Sequence, residues 1–476
     1  MNSESKGGTV SGGGATSSVA AGGGAAGSLE AGSAAIPNPG LNVLGRKIAF
    51  STLVQYAGKL IQMGLAMLTL KLISNFLSAG DYGAYAKVTE FALFFSTMAN
   101  LGIFGNLVRV MADRPRDGAV FFNALVLRLL TAAAFFIPAL AYLVLSGGMV
   151  GAGGLGAGGQ VFLYGSVLFF GALLFDFITS VCDGMLQANY MMGRATLALV
   201  SGRIVNYALT LALIKAVLVS GSAESVFMLF AATFAGSIVT AALSIFFVRS
   251  RIDWSWNLNK SLIAKLFLAG LPFGIINIIN NLYFRFLPDL FAQNALTEAQ
   301  FGSFNVSFRI AQVASLFSTF LMFSVLPGFK EYIDAGHFHK ARQLFGRVWK
   351  ILLTAGVLLV AGGSLFGGVA IELLTHKKFI LPELWFVLPL MLLLAAISYG
   401  YDLVLIILFA LEEDLWFLKM EFIALAVSGG IFLSTFLVEE PLTKMLLILL
   451  AAIYGETFMV VNGSLRVRKS LAKRGP

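Results

Sequence analysis

The sequence predicts an all-α polytopic membrane protein, with about twelve transmembrane helices in two pseudo-symmetric six-helix bundles. Three observations predict it. Hydrophobic residues make up 58% of the 476 and charged residues only 12%, with a mean hydropathy of +0.86. A soluble chain is nearer half apolar and a quarter charged. That balance excludes a cytosolic enzyme and a nucleic-acid binder, despite the net charge of +9. Next, the chain after residue 42 falls into long continuous apolar runs, each near the ~20 residues a helix needs to cross a bilayer. The alternation expected of barrel strands is missing from them. Last, one short segment recurs at about half the length of the membrane part.

In order along the chain, residues 1–42 are Gly, Ala and Ser with few large apolar side chains. They bury too little to offset their ordering entropy and are expected to be a disordered tail. The opening MNSESKGGTV carries no apolar core of a signal peptide. The apolar runs follow at 48–75, 82–108, 119–145, 161–187, 196–219 and 225–248, then at 263–286, 301–328, 349–374, 383–410, 418–437 and 443–465. This divides the chain into an N-terminal bundle over 43–250, a cytoplasmic linker over 251–262, a C-terminal bundle over 263–465 and a basic tail over 466–476.

Lys and Arg set the orientation, because cytoplasmic loops gather them. One set of loops carries Arg46 and Lys47, Arg114 and Arg116, Arg194, Arg249 with Arg251 and Lys260, then Lys330, Lys340, Arg342 and Arg347. The same side receives Arg466, Arg468, Lys469, Lys473 and Arg474. Among the alternate loops only Lys377 and Lys378 are clearly basic. Both termini are therefore expected in the cytoplasm. No loop is long enough to form a domain. The largest, 329–350, has apolar residues Tyr332, Phe338, Leu344, Phe345 and Trp349 spaced for a helix lying at the membrane interface.

The recurring segment is LSAGDYGAY at 77–85 and LTEAQFGSF at 296–304. Leu77 aligns with Leu296, Tyr82 with Phe301, Gly83 with Gly302 and Tyr85 with Phe304. Each copy precedes an even-numbered span, as expected of two bundles related by an axis along the membrane normal.

No catalytic constellation stands out. The lone Cys182 forbids an intrachain disulfide, and His337, His339 and His376 form no metal box. GAGGLG at 151–156 matches a dinucleotide fingerprint by composition alone, with no strand before it, and no phosphate-binding loop for ATP occurs. No cofactor is expected beyond coupling to a proton or sodium gradient.

The stretch 75–113, with Leu77, Asp81, Tyr82, Gly83, Tyr85, Gly102 and Arg109, resembles the polysaccharide-exporter and oligosaccharide-flippase family. That family groups with O-antigen flippases, lipid II flippases and multidrug (MATE) exporters in one superfamily. GLPFG at 270–274 and VLPGFKEYIDAGHFHKARQLF at 325–345 resemble its seventh span and the end of its eighth. The resemblance implies a MATE-like fold and a non-enzymatic transporter that flips lipid-linked oligosaccharide by alternating access. Its implied partners are that glycolipid, membrane lipids, and the glycosyltransferases and polymerase of the same pathway, with no nucleic acid. A cation-coupled multidrug exporter of the same fold is the alternative; a membrane glycosyltransferase would need a large external loop with paired acids. Family members often carry an acid in the seventh span, where this chain has Arg285 and Asp289.

Charge inside a span is costly and tends to face a bundle interior or water. Lys59, Arg128, Arg203 and Arg309 are accordingly the candidates for a cationic central cavity that holds a pyrophosphate. Glu90 and Asp176 are candidates for a gate or for ion coupling. Lys87 and Glu90 are spaced to neutralise each other on one helix. The repeat offset alternatively pairs Glu90 with Arg309. Arg128, and Arg203 with Asn206, are equally readable as helix-packing residues. Lys71, Lys215 and Arg285 lie near span ends and are read as snorkelling to headgroups. Pro272 is the hinge candidate, against a static kink.

Overall fold

A computed structural model describes residues 39–103, 107, 110–111, 116–145, 157–189, 191–216, 223–375 and 378–474. Six helices form the N-terminal bundle: α1 (Pro39–Phe76), α2 (Ala79–Asn100), α3 (Gly118–Leu145), α4 (Ala157–Ala188), α5 (Met192–Ala216) and α6 (Ala223–Val248). The C-terminal bundle opens with a composite rod. It runs from α7 (Lys260–Asn281) through a π-helical turn (Leu282–Phe286) into α8 (Leu287–Ala295). Then come α9 (Glu298–Asp334), α10 (Phe338–Thr375), α11 (Val387–Ala410), α12 (Asp414–Ser434) and α13 (Pro441–Arg474). Among the described residues the chain thus makes twelve rods, matching the twelve apolar runs.

Among the described residues, nine helices are long and apolar enough to cross a membrane, ten counting the bent pair in the seventh rod. The two rods outside that count are α2 and α9. They pack on each other along the seam between the bundles, where protein rather than lipid surrounds them. Their polar content is the mark of that position. By contrast α10 leaves Leu353, Leu358, Leu365 and Phe366 exposed, as a lipid-facing helix should.

The recurring segment turns out to be a pair of helix starts. Ser78 caps α2 by accepting from the Asp81 amide at 3.1 Å. Thr297 caps α9 in a capping box with Gln300. The Ser or Thr hydroxyl satisfies an amide that the helix leaves open. The glycines of the repeat then let the two starts meet. A methyl on Gly83 would collide with the Glu298 carbonyl, and one on Gly302 would lie 2.7 Å from the Ala79 carbonyl. Each glycine of one copy therefore meets the helix start of the other, as a two-fold axis requires. We refer to this end as outer, following the charge bias.

Several expectations change. Residues 39–42 are the first turn of α1; the rest of the presumed tail, GAGGLG, Arg109 and His376 lie outside the described residues. The loop 329–350 holds no separate interfacial helix: α9 runs to Asp334, and α10 begins at Phe338 and continues unbroken into the membrane. The basic stretch 466–474 is the end of α13, not a free tail, with Val467 and Leu471 buried and Arg466 paired to Glu413. The linker is shorter than 251–262, since α7 starts at Lys260.

Candidate functional site

The interior of the seam is built around Glu90. It lies eleven residues into α2, about 16 Å from the outer end at helical rise. Its carboxylate is almost fully buried and accepts from two guanidiniums. Arg285 donates from Nε at 2.9 Å and from Nη2 at 2.7 Å to Oε2. Arg309 donates from Nη2 at 2.8 Å to Oε1. Asn305 adds a longer bond at 3.4 Å and in turn accepts from the Tyr82 hydroxyl at 3.3 Å. The seam thus has one acid from the N-terminal bundle held by two arginines from the C-terminal bundle. Buried Asp289 faces the same group, yet its oxygens find no hydrogen-bond donor.

The π-turn explains how Arg285 gets there. It widens the rod by one residue, as such turns do at functional sites. Arg285 is directed to the seam and Tyr283 into the C-terminal bundle. Arg285 is therefore not a snorkelling residue, because only 11% of its side chain is exposed. The span-end expectation rests on an apolar run that stops at residue 286, whereas the rod continues through α8 to Ala295. Lys87 likewise does not neutralise Glu90; it reaches Glu298 on α9 at 3.5 Å. Glu90 is already occupied by two arginines, which leaves Lys87 to the facing helix.

The four predicted cations do not form one constellation. Arg309 belongs to the seam, within electrostatic reach of Tyr85, which Arg203 also reaches. Arg128 is buried inside the N-terminal bundle, donating to the Asn100 side chain at 2.7 Å and carbonyl at 3.1 Å, with its guanidinium 5.4 Å from the Phe177 ring centre. It ties α3 to the end of α2, the packing role. Lys59 is half-buried on α1. Arg203 lines a cavity of about 150 Å³ between α4, α5 and α6, with Asp176, Asp183, Asn206, Ser237 and Thr240. The second predicted acid, Asp176, is thus in that cavity and not at the seam.

A further polar cluster lies wholly in the C-terminal bundle. Buried Tyr401 donates to Glu421 at 2.5 Å, and Asn280 donates to Glu456 at 3.0 Å and to the Tyr283 hydroxyl at 3.1 Å. Oε2 of Glu421 and of Glu456 has no hydrogen-bond partner. Tyr283 and Arg285 sit on one π-turn, so this acid cluster and the seam share a backbone element. Among the described residues no group of three His, Cys, Asp or Glu is placed to hold a metal ion.

Two backbone breaks face each other farther in. After α2 the chain turns through Leu101 at φ 41° and Gly102 at φ 64°. The seventh rod bends by 45° around Pro272, between Gly270 and Gly274. A methyl on Gly102 would lie 2.5 Å from the Gly274 amide and 2.7 Å from the Gly270 carbonyl. The predicted hinge is therefore matched by a break in the opposite bundle, and the two are in backbone contact.

A family model described as polysaccharide biosynthesis protein matches residues 44–333. A search of curated protein sequences gives no match. Among solved structures, the chain is similar to the inward-facing conformation of a multidrug-resistance MATE family transporter of the MOP superfamily. That likeness has a TM-score of 0.72 at 14% identity, over 89% of this chain and 98% of the other. A MOP superfamily transporter from Pyrococcus furiosus, reported with a binding pocket of reverse polarity, gives a TM-score of 0.64 at 16% identity, over 90% and 96%. A Vibrio cholerae MATE transporter gives 0.62 at 14%, over 91% and 98%. At these identities the likeness establishes the fold, a multi-pass MATE-like membrane architecture.

Proposed function

We propose, from the premise that this chain belongs to the polysaccharide biosynthesis protein family, that it flips a lipid-linked oligosaccharide across the plasma membrane by alternating access. The observation that carries the reading is the Arg285–Glu90–Arg309 knot. Two guanidiniums meet at the seam of two bundles, about midway through the membrane. A polyprenyl-pyrophosphate headgroup carries the charge that a low-dielectric layer rejects. Arginine forks match phosphate oxygens in bidentate geometry. Glu90 occupies those forks in the seam. An entering pyrophosphate competes with Glu90 for both, and loss of that ion pair frees the outer contact between α2 and α9. Binding of the anion and opening of the gate become one event.

The driving ion is read from the buried acids that lie away from the seam. Glu421 and Glu456 in the C-terminal bundle, and Asp176 with Asp183 beside Arg203 in the N-terminal one, are the candidate proton or sodium carriers. The C-terminal pair has the more direct link, through the π-turn that carries both Tyr283 and Arg285. No cofactor is needed for this scheme, and chain-elongating enzymes of the pathway are its natural neighbours.

The test uses protein in vesicles with a fluorescent polyprenyl-pyrophosphate oligosaccharide and, in parallel, a cationic dye. The reading expects glycolipid transport that falls at least about tenfold in Arg285→Gln and in Arg309→Gln, the loss of one charge-assisted contact pair. Dye export with no glycolipid transport would replace it with the multidrug reading. Unchanged glycolipid transport in both variants would sink the arginine knot as the binding site.

A further inference from the structure

The segment between the bundles, residues 249–259, is laid against the N-terminal bundle as a strap. The Asp253 amide donates to the Arg116 carbonyl at 3.0 Å. Gly118 clears the way, since a methyl there would strike the Asp253 carbonyl and lie 2.9 Å from the Ser255 amide. Asn123, fully buried, clamps the far end: it donates to the Asn257 carbonyl at 2.8 Å and accepts from the Asn259 amide at 2.7 Å. Asn259 then caps α7 through the Leu262 amide at 3.1 Å. One residue is thus held by one bundle and starts the other.

The outward face of this strap is unusual for a loop. Trp254, Trp256 and Leu258 recur at every second residue, which puts them on one side of an extended segment. They are 46%, 72% and 52% exposed. The two indoles stack with centres 5.8 Å apart, and Phe121 and Phe122 brace them edge-on. The rings are therefore fixed in place without being buried. Around them are exposed cations from several elements: Arg116, Arg194, Arg249, Arg251 and Lys260. Arg194 and Arg249 lie over the rings of Phe247 and Phe246. The facing acids are Asp253 and Asp117, and Asp117 already caps α3 through the Ala119 and Val120 amides.

We propose that this strap is a binding site for an anionic phospholipid, with the headgroup phosphate on Arg249, Arg251 and their basic neighbours and the upper acyl chain against Trp254, Trp256 and Leu258. The charge excess selects an acidic headgroup, and the fixed indoles suit the headgroup level of a bilayer. A lipid held there grips the N-terminal bundle at the residue from which the C-terminal bundle departs. Nothing in this depends on which substrate the chain carries.

The experiment reads the two indoles directly. Of the five tryptophans, Trp349, Trp385 and Trp416 are changed to Phe, leaving Trp254 and Trp256. The protein is placed in phosphatidylcholine vesicles containing small fractions of phosphatidylglycerol or phosphatidylcholine with brominated acyl chains. Quenching is expected to saturate at a much lower fraction of the brominated phosphatidylglycerol. The added change R249Q/R251Q is expected to lower that preference on the order of tenfold, since each basic side chain at an acidic surface contributes several-fold. Equal quenching by both lipids, or a preference that survives R249Q/R251Q, would overturn the proposal. If the triple-Phe chain does not purify as a single species, native mass spectrometry of the unmodified chain makes the same comparison. Retention of phosphatidylglycerol over phosphatidylcholine is then expected, and its absence overturns the proposal equally.

Discussion

Glu90 holds Arg285 and Arg309 in a place where each guanidinium would otherwise lack a full counter-charge. Breaking a buried ion pair by removing one member costs about 3–5 kcal/mol, because the remaining charge stays behind without its partner. Glu90→Gln leaves two arginines facing Asp289, so its melting temperature should fall below that of the parent. Adding Arg309→Gln to Glu90→Gln removes a cation that has lost its acid. The double variant should therefore melt above the sum of the two single losses, a coupling that a double-mutant cycle measures. Strict additivity would mean that the two side chains do not share a charge balance. Asp289 adds a second check. Asp289→Asn removes a buried carboxylate with no donor and should cost little or even stabilise, whereas a large loss would show that it serves the arginines as much as Glu90 does.

At the scale of elements, the outer contact depends on two glycines that no longer side chain can replace. A methyl at Gly83 meets backbone, the Glu298 carbonyl, which cannot rotate away. Gly83→Ala should therefore push the starts of α2 and α9 apart and raise the labelling rate of a cysteine placed at Ser303, which is buried behind them and bonded to the Phe379 carbonyl. An unchanged labelling rate would show that the ends part elsewhere. These same glycines were visible in the sequence as aligned positions of a nine-residue repeat, and so was the Glu90–Arg309 offset. What the linear text hides is register. Arg285 reads as a span-end cation because its apolar run stops at residue 286, whereas the rod continues to Ala295 and the π-turn sets which side faces the seam. Lys378 looks like an exception to the charge bias, yet it donates to the Asn75 and Leu77 carbonyls at the end of α1, where a cation suits the exposed carbonyls. Ten of the described rods were legible because lipid imposes a long apolar run on them, and α2 and α9 because a more polar run sits between such runs. The pairings of Arg285 with Glu90 and of Lys87 with Glu298 were not, since each joins residues some two hundred positions apart.

For the whole molecule, the described contacts between bundles divide by depth. At the outer end Ser74 donates to the Leu374 carbonyl at 3.3 Å, Lys378 grips the end of α1, and Lys87 reaches Glu298. Farther in, the bundles touch through the facing breaks at Gly102 and Gly270–Gly274 and through the strap at Asn123 and Asn259. The outer contacts are made by side chains and helix ends, which separate without unfolding a helix. The inner ones include breaks where backbone turns are already present, which suits them to bending. Alternating access in this protein should then mean parting of the outer contacts while the paired breaks flex. A cross-link across the outer end is the direct check. In a background with Cys182→Ala, cysteines at Ser74 and Leu374 joined by a short thiol cross-linker should abolish transport, and a cleavable cross-linker should allow its recovery on reduction. Gly102→Ala, strained by its positive φ and by a methyl 2.5 Å from the Gly274 amide, should slow transport in the uncross-linked protein while leaving binding of the proposed substrate intact. Transport that continues at full rate with the outer ends joined would mean that the bundles do not part there, and the Glu90 knot would then be a fixed strut instead of a gate.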